Sequence, residues 1–180
     1  MIPTPDAVVA FWLEAGPDRW FKVDPEFDAL IRARFLALHE DAARGDLPGW
    51  DATAEGALAL IILTDQFPRN MFRATPRAFA TDALALRIAE RAIARGFDGS
   101  YGPPLKRFFY LPFMHAEDVG HQKRCEALCA AANDEEGVKY AVIHREIIER
   151  FGRFPHRNPI LGRDMSPEEQ AFLDAGGFSG

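Results

Sequence analysis

Cys125 and Cys129 are the only cysteines in the chain, and without a second pair they cannot complete a four-ligand zinc site. Their spacing of four on a predicted helix also argues against a disulfide, because side chains stacked on one helical face rarely reach bridging geometry. They read as small apolar core residues. Long hydrophobic runs are missing too: the longest, GALALIIL at 56–63, falls far short of the roughly 20 residues of a membrane span. The opening MIPTPDAVVAFWLEAGP lacks a basic stretch and carries Asp6 and Glu14, so it is not a secretory signal. Positive charge is in deficit, with 21 Lys and Arg against 27 Asp and Glu, a net charge of -6 over 180 residues. That balance excludes whole-molecule attraction to nucleic acid or to an anionic membrane. A phosphate-cradling GxxxxGKS/T loop, a GxSxG nucleophile elbow and an HExxH zinc helix are all absent. The expectation is a soluble, cytoplasmic protein with no nucleic-acid or membrane partner and no cofactor named by its sequence.

What the chain does contain is helical periodicity from end to end. Thr4 is placed to cap a first helix with Pro5 at its first position, burying Val8, Phe11 and Trp12. From Pro25 to Ala43, Phe27, Leu30, Ile31, Phe35, Leu38 and Ala42 recur at three- and four-residue steps, and Gly45 stops the run. A helix from near Thr53 through ALALIIL is apolar all round and should be central. Thr81 and Asp82 open the next, which ends at Gly96, and Pro103 and Pro104 start a short aromatic one, LKRFFYLPF. Two more run from about Glu117 to Ala132 and from about Glu135 to Phe151, the latter with Tyr140, Ile143, Ile147, Ile148 and Phe151 inward. Ser166, Pro167 and Glu169 form a capping-box signature for the last. No strand pattern, linker or fixed-period repeat is found. The fold class is all-α, a single domain over 1–180 of seven to eight helices packed as antiparallel pairs.

Polar chemistry concentrates in three stretches. In DQFPRNMFR (65–73), Pro68 removes a backbone donor and biases Phe67 away from helical geometry, so the apolar helix should kink or end there. Arg69 or Arg73 could then satisfy freed carbonyls; alternatively Arg69, Asn70 and Arg73, beside Asp65, form a fork-like site for a carboxylate or phosphate. In ERFGRFPHRNPILGRD (149–164), Gly152 stops a helix and Pro155 and Pro159 stiffen a loop. That loop holds Arg153, His156, Arg157 and Asn158 at low entropic cost, which suits either a preorganised anion site or a buried charge network. Its cations need negative charge, from Asp65, Glu117 and Asp118 or from a ligand.

In YLPFMHAEDVGHQ (110–122), His115 and Glu117 lie at a helix junction where acid/base or metal chemistry is common, while Asp118 suits the positive start of the next helix. His144 sits on an apolar stripe two turns from the basic loop and reads either as a satisfied core histidine or as a catalyst. The candidate catalytic residues are therefore His115, Glu117, His144 and His156. The candidate ligand-binding residues are Asp65, Arg69, Asn70, Arg73, Arg153, Arg157 and Asn158. Scattered singles of this kind do not specify a metal, and none is assigned. The three stretches are expected to converge on one site for a small anionic ligand. Pairing of two copies through an exposed aromatic surface is compatible with the sequence but not specified by it.

Together, ALALIILTDQFPRNMFR, PRAFATDALAL, FFYLPFMHAEDVGHQ and HREIIERFGRFPHRNPILGR resemble the signature blocks of a bacterial family known as domain of unknown function 924. Trp20–Phe21 followed by FDALIRARF resembles its N-terminal pattern. One departure is Ala116, where the family usually has serine between the His and the Glu, so no serine chemistry is assigned there. The resemblance spans nearly the whole chain. It implies a helical fold similar to tetratricopeptide-repeat superhelices and brings no established activity. Fold analogy alone would imply a protein- or peptide-binding scaffold with a structural polar cluster, the competing functional class.

Overall fold

The computed structural model describes residues 3–179, and every regular element among them is helical, with no strand. Their contacts group into two compact units. One comprises the residues through Arg73 together with Arg77–Pro112; the other comprises Ala74–Pro76 together with the residues from Phe113 on.

The first unit holds α1 (Pro5–Ala15), the one-turn α2 (Pro17–Trp20), α3 (Pro25–Arg44), α4 (Ala54–Ile61), α5 (Phe67–Met71) and α6 (Asp82–Ala94). Proline opens α1, α2 and α3, where its missing N–H is one the helix could not have used. Thr4 takes the N-cap position of α1 but its side chain makes no capping bond, whereas Asp24 caps α3 by accepting from the N–H groups of Glu26 and Phe27. On α3 the buried stripe is Phe27, Ile31, Phe35, Leu38 and Ala42; Leu30, expected inward, lies on its flank and is 42% exposed. All of ALALIIL is buried, and α4 packs against both α1 and α6, the central position its all-round apolarity predicts. Rings of Phe11, Trp12, Phe27, Phe35 and Phe67 pack on one another, Trp12 meeting Phe67 edge-on with centroids 5.6 Å apart. The Trp20 indole donates to the Trp12 carbonyl, giving one polar ring edge a partner inside that cluster.

The central helix does not break at Pro68. It widens into a π turn over Ile62–Gln66, closed by the Phe67 N–H donating to the Ile62 carbonyl five residues back, and resumes as α5. Phe67 is helical, at φ −59° and ψ −38°, which corrects the sequence expectation. The reason is that the wider turn makes room for the Pro68 ring, and side chains take up the carbonyls that its missing N–H leaves behind.

The rearrangement leaves carbonyls behind. Phe67 now donates to Ile62 and Pro68 donates to nothing, so the Leu63 and Thr64 carbonyls lose their helical partners in a fully buried setting. Side chains replace them. His39 Nδ1 on α3 donates to the Leu63 carbonyl at 2.8 Å, and the Thr81 hydroxyl donates to the Thr64 carbonyl at 2.5 Å. Thr81 does stand at the N-cap of α6, yet its hydroxyl makes no cap bond there.

The second unit is entered through α7 (Leu111–Met114) and contains α8 (Val119–Ala131), α9 (Glu135–Phe151), α10 (Asn158–Leu161) and α11 (Pro167–Asp174). α8 and α9 run antiparallel, as the pairs Arg145–Glu126 and Lys123–Glu149 show by their opposed register. Between them lie Cys125 and Cys129, both fully buried and hydrogen-bonded to each other, a bond that with burial pushes the Cys125 thiol pKa up. The inner face of α9 is Ala141, His144, Ile147 and Ile148; Tyr140, expected inward, is 40% exposed. The capping box of α11 forms as its sequence signature predicts.

Replacing Thr81 by valine keeps its shape but orphans the buried Thr64 carbonyl. Thr81→Val should therefore lose about 1–3 kcal/mol in urea unfolding, while Thr81→Ser, which retains the hydroxyl, should stay near wild type.

Candidate functional site

The candidate residues of DQFPRNMFR gather in the first unit. Arg69 presents its fork to Asp82 (Nη1–Oδ1 2.9 Å, Nη2–Oδ2 3.0 Å), lies 3.3 Å from the Asp65 carboxylate, and donates to the Asp65 carbonyl. Burial opposes the Arg69 charge, but Asp65 and Asp82 more than compensate and raise its pKa. Asp65 is fully buried and accepts from Gln66 Nε2. One residue further round, Asn70 and Arg73 both donate to Asp28, at 2.8 Å from Asn70 Nδ2 and 3.0 Å from Arg73 Nη2. Fork-like carboxylate recognition is thus present, and the carboxylates it recognises are Asp82 and Asp28 of this chain.

The remaining candidates gather in the second unit, where PFMHAED meets FGRFPHRN through Glu117. Its carboxylate takes both arms of Arg163, at 2.6 and 2.9 Å, and the Phe154 N–H at 2.8 Å. Burial alone would raise the Glu117 pKa; the Arg163 and Phe154 hydrogen bonds outweigh it and hold the carboxylate below its ordinary range. Asn158, fully buried, accepts from Arg163 Nε. Arg153 takes a second carboxylate, donating through Nε and Nη2 to Glu169 at 2.6 and 2.9 Å. Asp118 sits at the N-cap of α8 and accepts from the His121 N–H, the role its position before the helix implies.

Glu169 is the carboxylate that sequence reasoning missed for this role. It reads as a capping-box residue, and it does accept from the Ser166 N–H, but the same carboxylate pairs Arg153. The Arg153 hydrogen bond, opposed by burial and aided by Ser166 and Asn158, holds its pKa far below the usual range.

Around Phe154 lies a different group of side chains. The His144 and His156 rings pack on it with centroids 5.5 and 5.7 Å away, and the Arg157 guanidinium stands 4.7 Å over its face. His144 is buried and its Nδ1 donates to the Tyr140 carbonyl at 2.8 Å, which leaves the lone pair on Nε2 in the neutral ring. Burial first, then the electrostatic influence of His115, His156 and Arg157, drives its pKa down to about 3 against the opposing Tyr140 bond. His144 is therefore a neutral imidazole at physiological pH. His115, half-buried, lies in the turn after α7; the buried Gln122 amide holds that turn by donating to the Met114 and Ala116 carbonyls at 2.6 and 2.7 Å. Among the described residues no group of three or more His, Cys, Asp or Glu is placed to hold a metal ion. Nor is any helix among them long and apolar enough to cross a membrane.

Two buried histidines with lowered pKa values, His39 and His144, carry a pH signature. The unfolded chain binds protons below pH 6.5 that the folded chain does not. Stability should therefore fall as pH drops from about 6.5 toward the folded values, with a slope of up to about 1.4 kcal/mol per pH unit for each histidine. Carboxylates with lowered pKa add their own loss only below about 4.5. Urea unfolding between pH 7 and 5 checks this, and His144→Leu should flatten the slope.

A comparison with curated proteins gives no match. The solved structure of ATU0120, a protein of unknown function from Agrobacterium tumefaciens, is similar with a TM-score of 0.92 at 48% identity, covering 96% of this chain and 97% of that one. The family model described as bacterial protein of unknown function (DUF924) matches residues 8–177. A match over nearly the whole chain, joined to a like structure of nearly equal length, places this chain in the DUF924 family.

Proposed function

We propose that the chain binds a small anionic metabolite of the cytoplasm at the His115, His144, His156 and Arg157 cluster of the second unit, where the imidazoles move protons. The observation that carries this reading is the neutral, buried His144, its Nδ1 locked to a backbone carbonyl and its neighbours His115, His156 and Arg157 all positive or able to become so. In that setting an anion is drawn to the Arg157 guanidinium, and His144 Nε2 accepts a hydrogen bond from its acid group. A perturbed titratable group such as His144, set among other ionisable side chains, is a physical pointer to function rather than to packing alone. The forks of Arg69, Arg73, Arg153 and Arg163 take no part, because Asp82, Asp28, Glu169 and Glu117 already occupy them.

A second reading draws on those same pairs. Bidentate arginine–carboxylate bonds stitch the basic loop to α11 and to the turn before α8, as a purely structural network would. In that reading the chain is a helical scaffold of the tetratricopeptide-repeat kind with a partner on its surface.

Thermal denaturation with inorganic phosphate and with citrate separates the two. At about 100 times Kd an anion should add about 2.7 kcal/mol of stability to the wild type. The gain should vanish in Arg157→Met and in His156→Gln but persist in Arg73→Met. If neither these anions nor benzoate stabilises the wild type, and Arg157→Met collapses on its own, the scaffold reading takes its place.

A further inference from the structure

The segment following α11 supplies a side chain to the imidazole cluster. The Phe178 ring lies on His144 with centroids 4.5 Å apart and on His156 at 5.8 Å. At that separation no group fits between the phenyl and the His144 ring.

Backbone geometry aims it there. α11 closes with paired bonds, the Gly176 N–H donating to the Leu173 carbonyl and the Gly177 N–H to the Phe172 carbonyl, both at 3.0 Å, which is the Schellman pattern. Gly176 stands at φ +80°, in the left-handed region. A Cβ on Gly177 would lie 2.6 Å from the Phe172 carbonyl oxygen, closer than real contacts allow. Both positions thus require glycine so that the chain can double back and deliver Phe178. The base of this turn is firm, because the first turn of α11 carries the capping box and the Arg153–Glu169 pair. Residues 178 and 179 have no regular structure, and Phe178 is only half-buried against Ile147, Ile148 and Phe154.

We infer that Phe178 is the gate of the His144–His156 pair, a ring set over the imidazoles by the Gly176–Gly177 turn that swings away as a local unit to admit the ligand. This rests on the reading of the cluster as a ligand site. It also narrows the ligand class: the group replacing a phenyl on the imidazole face is flat and apolar, so the anion is an aromatic or similarly planar acid.

The test is deuterium exchange at the imidazole Cε1–H of His144, followed by mass spectrometry on the ligand-free full chain in urea below the unfolding transition. In the wild type the rate should not depend on urea, the mark of a local opening. Phe178→Ala, and independently Gly177→Ala, should each raise it by about tenfold while the urea midpoint stays near that of the wild type. A wild-type rate that climbs with urea in step with global unfolding overturns the gate. So does a rate that both variants leave unchanged, or that rises only in proportion to lost global stability. A parallel titration with benzoate tests the ligand class: wild-type stabilisation by phosphate but not by benzoate would remove the planar-acid assignment. No anion enters the exchange measurement, so the gate and the anion site can fail separately.

Discussion

Pro68 has no N–H to offer, and the helical stretch 56–68 leading to it is buried throughout, so no water can stand in for the missing donor. Much of the first unit follows from that constraint. A buried carbonyl without a partner costs about 1–3 kcal/mol, and the π turn leaves two of them, at Leu63 and Thr64. His39 and Thr81 supply the donors, one from α3 and one from the start of α6, so the same bonds that satisfy the turn also set where those two helices lie against it. Arg69 and Arg73 extend the arrangement outward by pairing with Asp82 on α6 and Asp28 on α3. A proline in mid-helix, ordinarily destabilising by several kcal/mol, here becomes the point through which α3, α5 and α6 are tied.

The second unit solves a charge problem rather than a backbone one. Its loop carries several cations, and desolvating any of them requires an anion nearby. Glu117 and Glu169 each take an arginine in bidentate fashion while also accepting a backbone N–H, so both carboxylates use most of their acceptor capacity. Ion pairs of this geometry hold the loop to α11 and to the turn before α8. What the loop then presents is His156 and Arg157 beside a histidine kept neutral by burial.

The order of the longer helices and the all-helical class were legible in the sequence because both depend on local periodicity. ALALIIL read as central, Ser166 to Glu169 as a capping box, and Cys125 with Cys129 as apolar core residues. Smaller errors came from positions at the margin of a stripe: Leu30 and Tyr140 fall where a periodic pattern cannot separate inner edge from flank. For the candidate residues the sequence marked the segments that carry the polar chemistry but not the partners. Phe178 went unread because nothing in GGF distinguishes a ring aimed by a helix cap from one that follows a loose turn.

The sequence by itself determined an all-helical chain of this family, with a basic loop stiffened by two prolines and a central helix strained by a third. Those properties arise from residues close in the chain, through hydrogen-bonding capacity, φ restriction and 3.6-residue spacing. Only the tertiary structure decided that Pro68 widens the helix instead of ending it, since that outcome depends on donors 29 and 13 residues away in the chain, at His39 and Thr81. It likewise decided which carboxylate meets which arginine. Coulombic attraction does not distinguish one carboxylate from another by sequence, and the choice falls to whichever the packed helices bring within hydrogen-bonding distance.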